Sequence, residues 1–373
     1  MKQTVSEVRT TRQCAHPYFG FVCVPNSSVD YADTIAAPLG RQAIGRIDAF
    51  GFRNIDLPPS KPEDETWIGL FGGSVAFSVA SSDNGTTIAG FLERALNARA
   101  ENADVRRRRI RVLNFALPAG QQPQQLIIFM SKSRLLDGAI TLDGVNEVVI
   151  PAYYNRDVIP GDFPYLPFYQ ALFARDVSDE QIALSWLVRE EEQAAAVCGD
   201  HWLGRIRSAR HHKRAAALRA RLESTATSSH LLQTVFPMAD AGVDGRIEAG
   251  AENWRRCTRL MARVASAEGI DFLPIVQPVP EQGKTLALEE RAFVDAHPDV
   301  VSIRGHGLGL LRRHAAALRD DGVPVEDFVN VFSGHEKQVY VDLGHFNDLG
   351  CQVVADAMAD FVGKRWTCLQ RPT

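Results

Sequence analysis

The feature that most limits what this chain can become is an alternation of short apolar runs with stretches of helical spacing. The run TWIGLFGG at 66–73 closes on two glycines, the pattern of a buried strand meeting a tight turn. Over 86–99, Ile88, Phe91, Leu92 and Leu96 share one helical face. IRVLNFA at 110–116 reads as the next strand, 123–136 as a helix, and GAITLDG at 138–144 as a third strand. The rhythm resumes with a helix over 252–268 and the strand GIDFLPIVQP at 269–278. VYVDL at 339–343 reads as a last strand, followed by a helix in which Leu349, Val353, Val354, Met358 and Val362 recur at helical spacing. Buried strands that alternate with helices predict a parallel sheet covered on both faces.

Two regions depart from this rhythm. Residues 1–65 are irregular and rich in Gly, Pro and aromatics, and are expected to pack on the main body as loops or short strands. Residues 178–232 are helical and charged, with a strongly basic stretch over 205–221. The expected organisation is one α/β domain over 66–373, interrupted by a helical insertion at about 178–232. A hydrophobic content of 45% suffices for a full core, and a net charge of -4 gives no reason to expect nucleic acid as the partner. The basic stretch lacks interleaved aromatics for base stacking and reads as a solvated helix face. The six cysteines are scattered without metal-like spacing and read as mostly buried free thiols, with a Cys14–Cys23 bridge left open. No stretch has the length of a membrane span, and MKQTVSEVRTTRQ has no signal-type apolar core, so the expected location is cytoplasmic.

The chemistry-bearing residues gather at the expected strand ends. Ser74 follows Gly72 and Gly73, where a tight turn exposes a hydroxyl at the carboxyl edge of a parallel sheet. Asp342 and His345 stand three apart after the last strand; a serine nucleophile needs such a base, and the base needs an orienting acid. Asn146, in DGVNE after the third strand, offers a side-chain N–H to a developing oxyanion, and NFALPAGQQPQQL at 114–126 offers backbone N–H groups. Each also has an ordinary reading as a cap or turn residue. The conjunction of four such groups at the ends of four strands carries the inference.

In this order the blocks resemble the SGNH (GDSL-like) hydrolase superfamily. FGGSVA resembles its first block, with Ser74 in the nucleophile position. NFALPAGQQPQQL resembles the second, which supplies a backbone N–H to the oxyanion hole. DGVNEV is similar to the third, with Asn146 in the oxyanion position. VDLGHFNDLG is similar to the fifth, with Asp342 and His345 completing a triad. The sequence departs from the family pattern at three places. Ala119 stands at the expected glycine with Gly120 after it, Glu147 stands where many members have Asp, and the insertion is long.

The resemblance implies a flavodoxin-like three-layer α/β/α sandwich around a parallel sheet. It implies a serine ester hydrolase that removes a short acyl group, such as acetyl, from a small-molecule or carbohydrate ester without metal or organic cofactor. The Ser74 N–H, the Ala119 or Gly120 N–H and the Asn146 side chain would form the oxyanion hole. Two alternatives stay open: an O-acyltransferase using the same triad, and a non-catalytic binding or scaffold protein. The acyl group, the alcohol and the oligomeric state are not legible in the sequence.

Overall fold

A computed structural model of the chain describes residues 13–16, 18–32, 40, 42–54, 60–101, 108–154, 202–224 and 242–370, with single positions between 184 and 198. It divides into two compact units, one made of 1–166 with 238–373 and the other of 167–237.

In the larger unit the N-terminal segment forms two antiparallel pairs, β1 (Gln13–His16) with β2 (Gly20–Cys23) and β3 (Ser28–Asp30) with β4 (Ile44–Arg46). Its aromatics divide by burial. Phe19, Phe21 and Phe52 are buried, whereas Tyr18 and Phe50 are exposed. A line of ring contacts runs from Phe19 through Phe52, Phe115, Phe71 and Phe129 to Phe272, joining this segment to the interior of the unit. None of the six cysteines is in a disulfide, so Cys14 and Cys23 are not bridged.

The apolar runs form a five-stranded parallel sheet of β5 (Glu65–Gly72), β6 (Arg109–Asn114), β7 (Gly138–Asp143), β8 (Asp271–Val276) and β9 (Glu326–Asp327), ordered β6-β5-β7-β8-β9. Every residue of β5 and β7 is buried, which is why these strands read as continuous rather than alternating apolar runs. The helices are α1 (Ser74–Phe77), α2 (Ile88–Glu101), α3 (Gln124–Lys132), α4 (Val145–Tyr154), α5 (Trp202–Ser224), α6 (Gly242–Glu268), α7 (Leu288–Ala296), α8 (Pro298–Asp320) and α9 (Asp348–Arg365). α2 packs with α9, while α3, α4 and α8 pack on α6, giving the two helical layers of a three-layer α/β/α sandwich. The first strand of the sheet, β5, lies between the second, β6, and the third, β7. The chain therefore reverses its direction of growth at β5/β7, and open sheets of this order bind ligands beyond the carboxyl ends of the strands at that reversal.

The run 339–343, expected as the last strand, does not join the sheet. Tyr340 makes a single antiparallel bridge to Phe346, and β9 takes the edge beside Ile275 and Val276. The cause is a competing acceptor. The Val339 and Tyr340 N–H groups donate to Glu290 Oε1 at 2.8 and 3.0 Å, so these amides have partners without a ladder.

In the smaller unit, α5 carries the whole basic stretch. Within that unit His211 pairs with Glu191 at 2.6 Å, and Arg219 pairs with Glu192. Arg106, Arg107, Asn155 and most of 178–201 lie outside the described residues, as do the side chains of Tyr153 and Tyr154.

Candidate active site

Ser74 is the first residue of α1, directly after β5. The turn before it is built on two glycines. Gly72 has φ 149°, and a Cβ there would meet Leu142 O and Ala76 Cβ. A Cβ on Gly73 would collide with Asn146 Nδ2. The absence of both side chains lets the Asn146 amide come up against the backbone that presents Ser74.

His345 reaches this hydroxyl from the far end of the chain. The Ser74 hydroxyl donates to His345 Nε2 at 2.7 Å, and His345 Nδ1–H donates to Asp342 Oδ2, also at 2.7 Å. Asp342 Oδ1 accepts the Gly344 and His345 N–H groups at 2.9 and 2.8 Å. Burial opposes ionisation of Asp342, but the facing imidazole and these hydrogen bonds outweigh it and hold its pKa down to about 2. For His345, burial lowers the pKa, while the Asp342 charge and hydrogen bond raise it further, leaving it above its ordinary value. Asn347 then caps α9, its side chain accepting from Gly350 N at 2.9 Å.

Charged groups brace this loop from behind. The fully buried Glu290 side chain takes the Val339 and Tyr340 N–H groups, and its second oxygen accepts from Lys284 Nζ at 2.6 Å. Arg304, buried on α8, donates to Leu343 O and to both oxygens of Glu281, with Nε to Oε1 at 2.7 Å. None of Glu281, Glu290 and Arg304 stood out in the sequence. Each lies at least 39 residues from the loop atom it holds, or holds it through another residue, and no local spacing announces such a contact.

On the opposite side of Ser74, Leu117 N donates to Gly72 O at 3.1 Å, tying the loop after β6 to the end of β5. Ala119 adopts φ 63°, a left-handed conformation costly for a side chain with a Cβ. The Gly120 N–H donates to Leu117 O at 2.8 Å, and Gly120 O accepts from Asn146 Nδ2 at 2.9 Å. That bond uses one of the two N–H groups of the Asn146 amide. Of the residues singled out in the sequence, Ser74, His345 and Asp342 share one hydrogen-bonded series and Asn146 and Gly120 share a separate bond, with Ala119 directly before Gly120 in its loop.

Among the described residues, no group of His, Cys, Asp and Glu side chains is arranged to hold a metal, and no helix is long and apolar enough to cross a membrane.

No protein-family model and no curated protein matches the chain. Solved structures do. A lipase/acylhydrolase from Enterococcus faecalis is 12% identical, with a TM-score of 0.39, over 83% of this chain and 98% of its own. A GDSL-like lipase from Bacteroides thetaiotaomicron is 9% identical, with a TM-score of 0.35, over 82% and 92%. A carbohydrate acetylesterase from Sinorhizobium meliloti is 8% identical, with a TM-score of 0.34, over 80% and 99%.

Proposed function

We propose that this chain is a serine ester hydrolase of the SGNH type, with Ser74 as nucleophile, His345 as general base and Asp342 as the group that orients and stabilises the base. The observation that carries the reading is the hydrogen-bonded series Ser74 Oγ, His345 Nε2, His345 Nδ1 and Asp342 Oδ2, in which both bonds are 2.7 Å and the serine and histidine are 271 residues apart in sequence. A capping serine and a solvent-facing histidine have no reason to meet in that tautomer-defining arrangement.

In the reaction, Ser74 Oγ bonds to the ester carbonyl carbon as its proton passes to His345 Nε2. The carbonyl oxygen becomes an oxyanion. Collapse of the tetrahedral adduct breaks the bond to the alcohol oxygen, which takes the proton from His345. Water then attacks the acyl-enzyme with His345 again as base, releasing the acid and Ser74. The free N–H of the Asn146 amide and the N–H of Ala119 stabilise the oxyanion, together with the Ser74 N–H. Ala119 takes this role rather than Gly120 because the Gly120 N–H is already committed to Leu117 O. An acetyl or similarly short acyl ester of a small molecule or carbohydrate is the proposed substrate class. With 4-nitrophenyl acetate as a probe ester, Ser74→Ala is expected to abolish turnover; turnover equal to the unsubstituted protein would reject the mechanism.

A further inference from the structure

Glu147 follows Asn146 on α4 and is 2% exposed. A buried carboxyl is costly unless donors surround it. Here Oε2 accepts the Gly144 N–H at 2.8 Å, while Oε1 accepts the Gln122 N–H at 3.3 Å and the Gln125 side-chain amide at 3.2 Å. The two backbone donors belong to different loops, and Gln125 lies in the first turn of α3. Gly144, with φ 119°, forms the turn from β7 into α4, two residues before Asn146. Gln122 lies two residues after Gly120 and three after Ala119. One carboxyl group therefore bridges the turn that carries the Asn146 amide and the loop that carries the Ala119 N–H.

The surroundings leave little freedom for this bridge to shift. A Cβ on Gly250 would overlap Glu147 O, so α6 presses directly on the first turn of α4. From the same helix Asn253 donates to Gln122 O at 3.1 Å, and Trp254 Nε1 donates to Asp143 Oδ1 at 2.6 Å. Burial raises the pKa of both acids, and the neighbouring Asp143 raises that of Glu147 further. A glutamine of the same size would spare this cost, yet it would turn an N–H group toward donors that need an acceptor.

We propose that Glu147 is a positioning residue for the oxyanion site: its carboxyl sets the separation between the Asn146 amide and the Ala119 N–H. The proposal rests on the hydrolase reading above. Donors that stabilise only the transition state lower kcat and kcat/KM together when they are displaced, and leave KM in place.

The test compares E147Q and E147D with the unsubstituted protein on 4-nitrophenyl acetate, below the melting temperature of each variant and normalised to folded protein by circular dichroism. E147Q is expected to lower kcat by about 10- to 100-fold with KM nearly unchanged, less than the roughly 10²- to 10³-fold for outright loss of an oxyanion donor. Labelling of Ser74 by a fluorophosphonate should slow to match. The acid limb of the pH profile should stay in place, because the His345–Asp342 pair is untouched. E147D keeps the acceptor oxygens on a shorter stem and is expected to fall between, about fivefold below the unsubstituted protein; if E147Q does not fold, E147D decides. A folded variant of either kind with unchanged kcat and labelling rate would overturn the proposal. S74A, run alongside, separates the two failures. An active S74A removes the hydrolase reading itself, whereas an inactive S74A beside a fully active E147Q removes only the positioning role.

Discussion

Two buried carboxyl sites flank Ser74, and they are built in opposite ways. On the base side, Asp342 faces an imidazole and two backbone N–H groups, and its pKa is held down to about 2. On the oxyanion side, Asp143 and Glu147 are buried beside each other with neutral N–H partners, and burial pushes both upward. Residues of one chemical type thus serve two ends. In the proposed mechanism the Asp342 carboxylate stabilises the charge that forms on His345, whereas the carboxyl of Glu147, among neutral donors, bridges two stretches of backbone. The difference predicts unequal effects on rate and opposite responses of stability to pH.

The largest effect is expected at the base side. D342N leaves a similar shape but presents the wrong hydrogen-bonding pattern to His345 Nδ1, and the resulting loss in kcat is on the order of 10⁴-fold. N146A, on the oxyanion side, removes one donor and is expected to cost on the order of 10²- to 10³-fold in kcat at constant KM. Equal losses from these two variants, measured on the same ester, would erase the contrast.

The pH dependence of activity comes next. In the proposed mechanism His345 works as a free base, so kcat/KM should rise as it loses its proton. The midpoint is expected above the ordinary imidazole value of about 6.5, because Asp342 stabilises the charged form. In the residual activity of D342N the midpoint should move down; a midpoint that stays in place would detach Asp342 from the base.

Stability sharpens the comparison further. Asp342 has a folded pKa below the ordinary Asp value of about 3.9, so its contribution, about 2 kcal/mol, is present above that value and is lost as pH falls toward 2. Asp143 and Glu147 run the other way. Raised folded pKa values mean that stability is full in acid and declines as pH rises through neutrality and ionisation is forced on buried groups. His345 adds to the same alkaline decline, so the comparison with D143N is what isolates the pair. In urea unfolding, D143N is expected to lose less stability between pH 5 and pH 9 than the unsubstituted protein, and identical slopes would contradict the account of the buried pair.

The smallest effect concerns Ala119. A119G keeps the N–H and relieves the φ 63° backbone, so kcat should stay within about twofold while stability rises by about 1 kcal/mol. A large loss of kcat with unchanged stability would show that the Ala119 side chain itself matters.

Much of this arrangement was legible in the sequence because its chemistry sits where a buried strand must stop. Gly72, Gly73 and Ser74 announce a tight turn by residue type, and the spacing of Asp342 and His345 announces the acid–imidazole pair that the fold forms. What could not be read depended on contacts between distant parts of the chain. VYVDL has the apolar character of a strand, but its amides go to Glu290, 49 residues upstream of Val339, and nothing local distinguishes the two outcomes. The true edge strand, Glu326–Asp327, is too short and too polar to have been recognised. Residue type also hid the backbone at Ala119 and Gly120, since here the alanine holds the left-handed φ and the Gly120 N–H is bonded to Leu117 O. Glu147 stands out only through its three donors, two of which come from 22 and 25 residues upstream.

The proposed hydrolysis requires one serine to be made nucleophilic by a histidine 271 residues away. A fluorophosphonate probe, followed by peptide mass spectrometry, reads that activation at a single atom. The expected result is an adduct on Ser74 in the unsubstituted protein that is lost in H345A at equal folding. An unlabelled Ser74 in a folded protein that still cleaves the ester would contradict it.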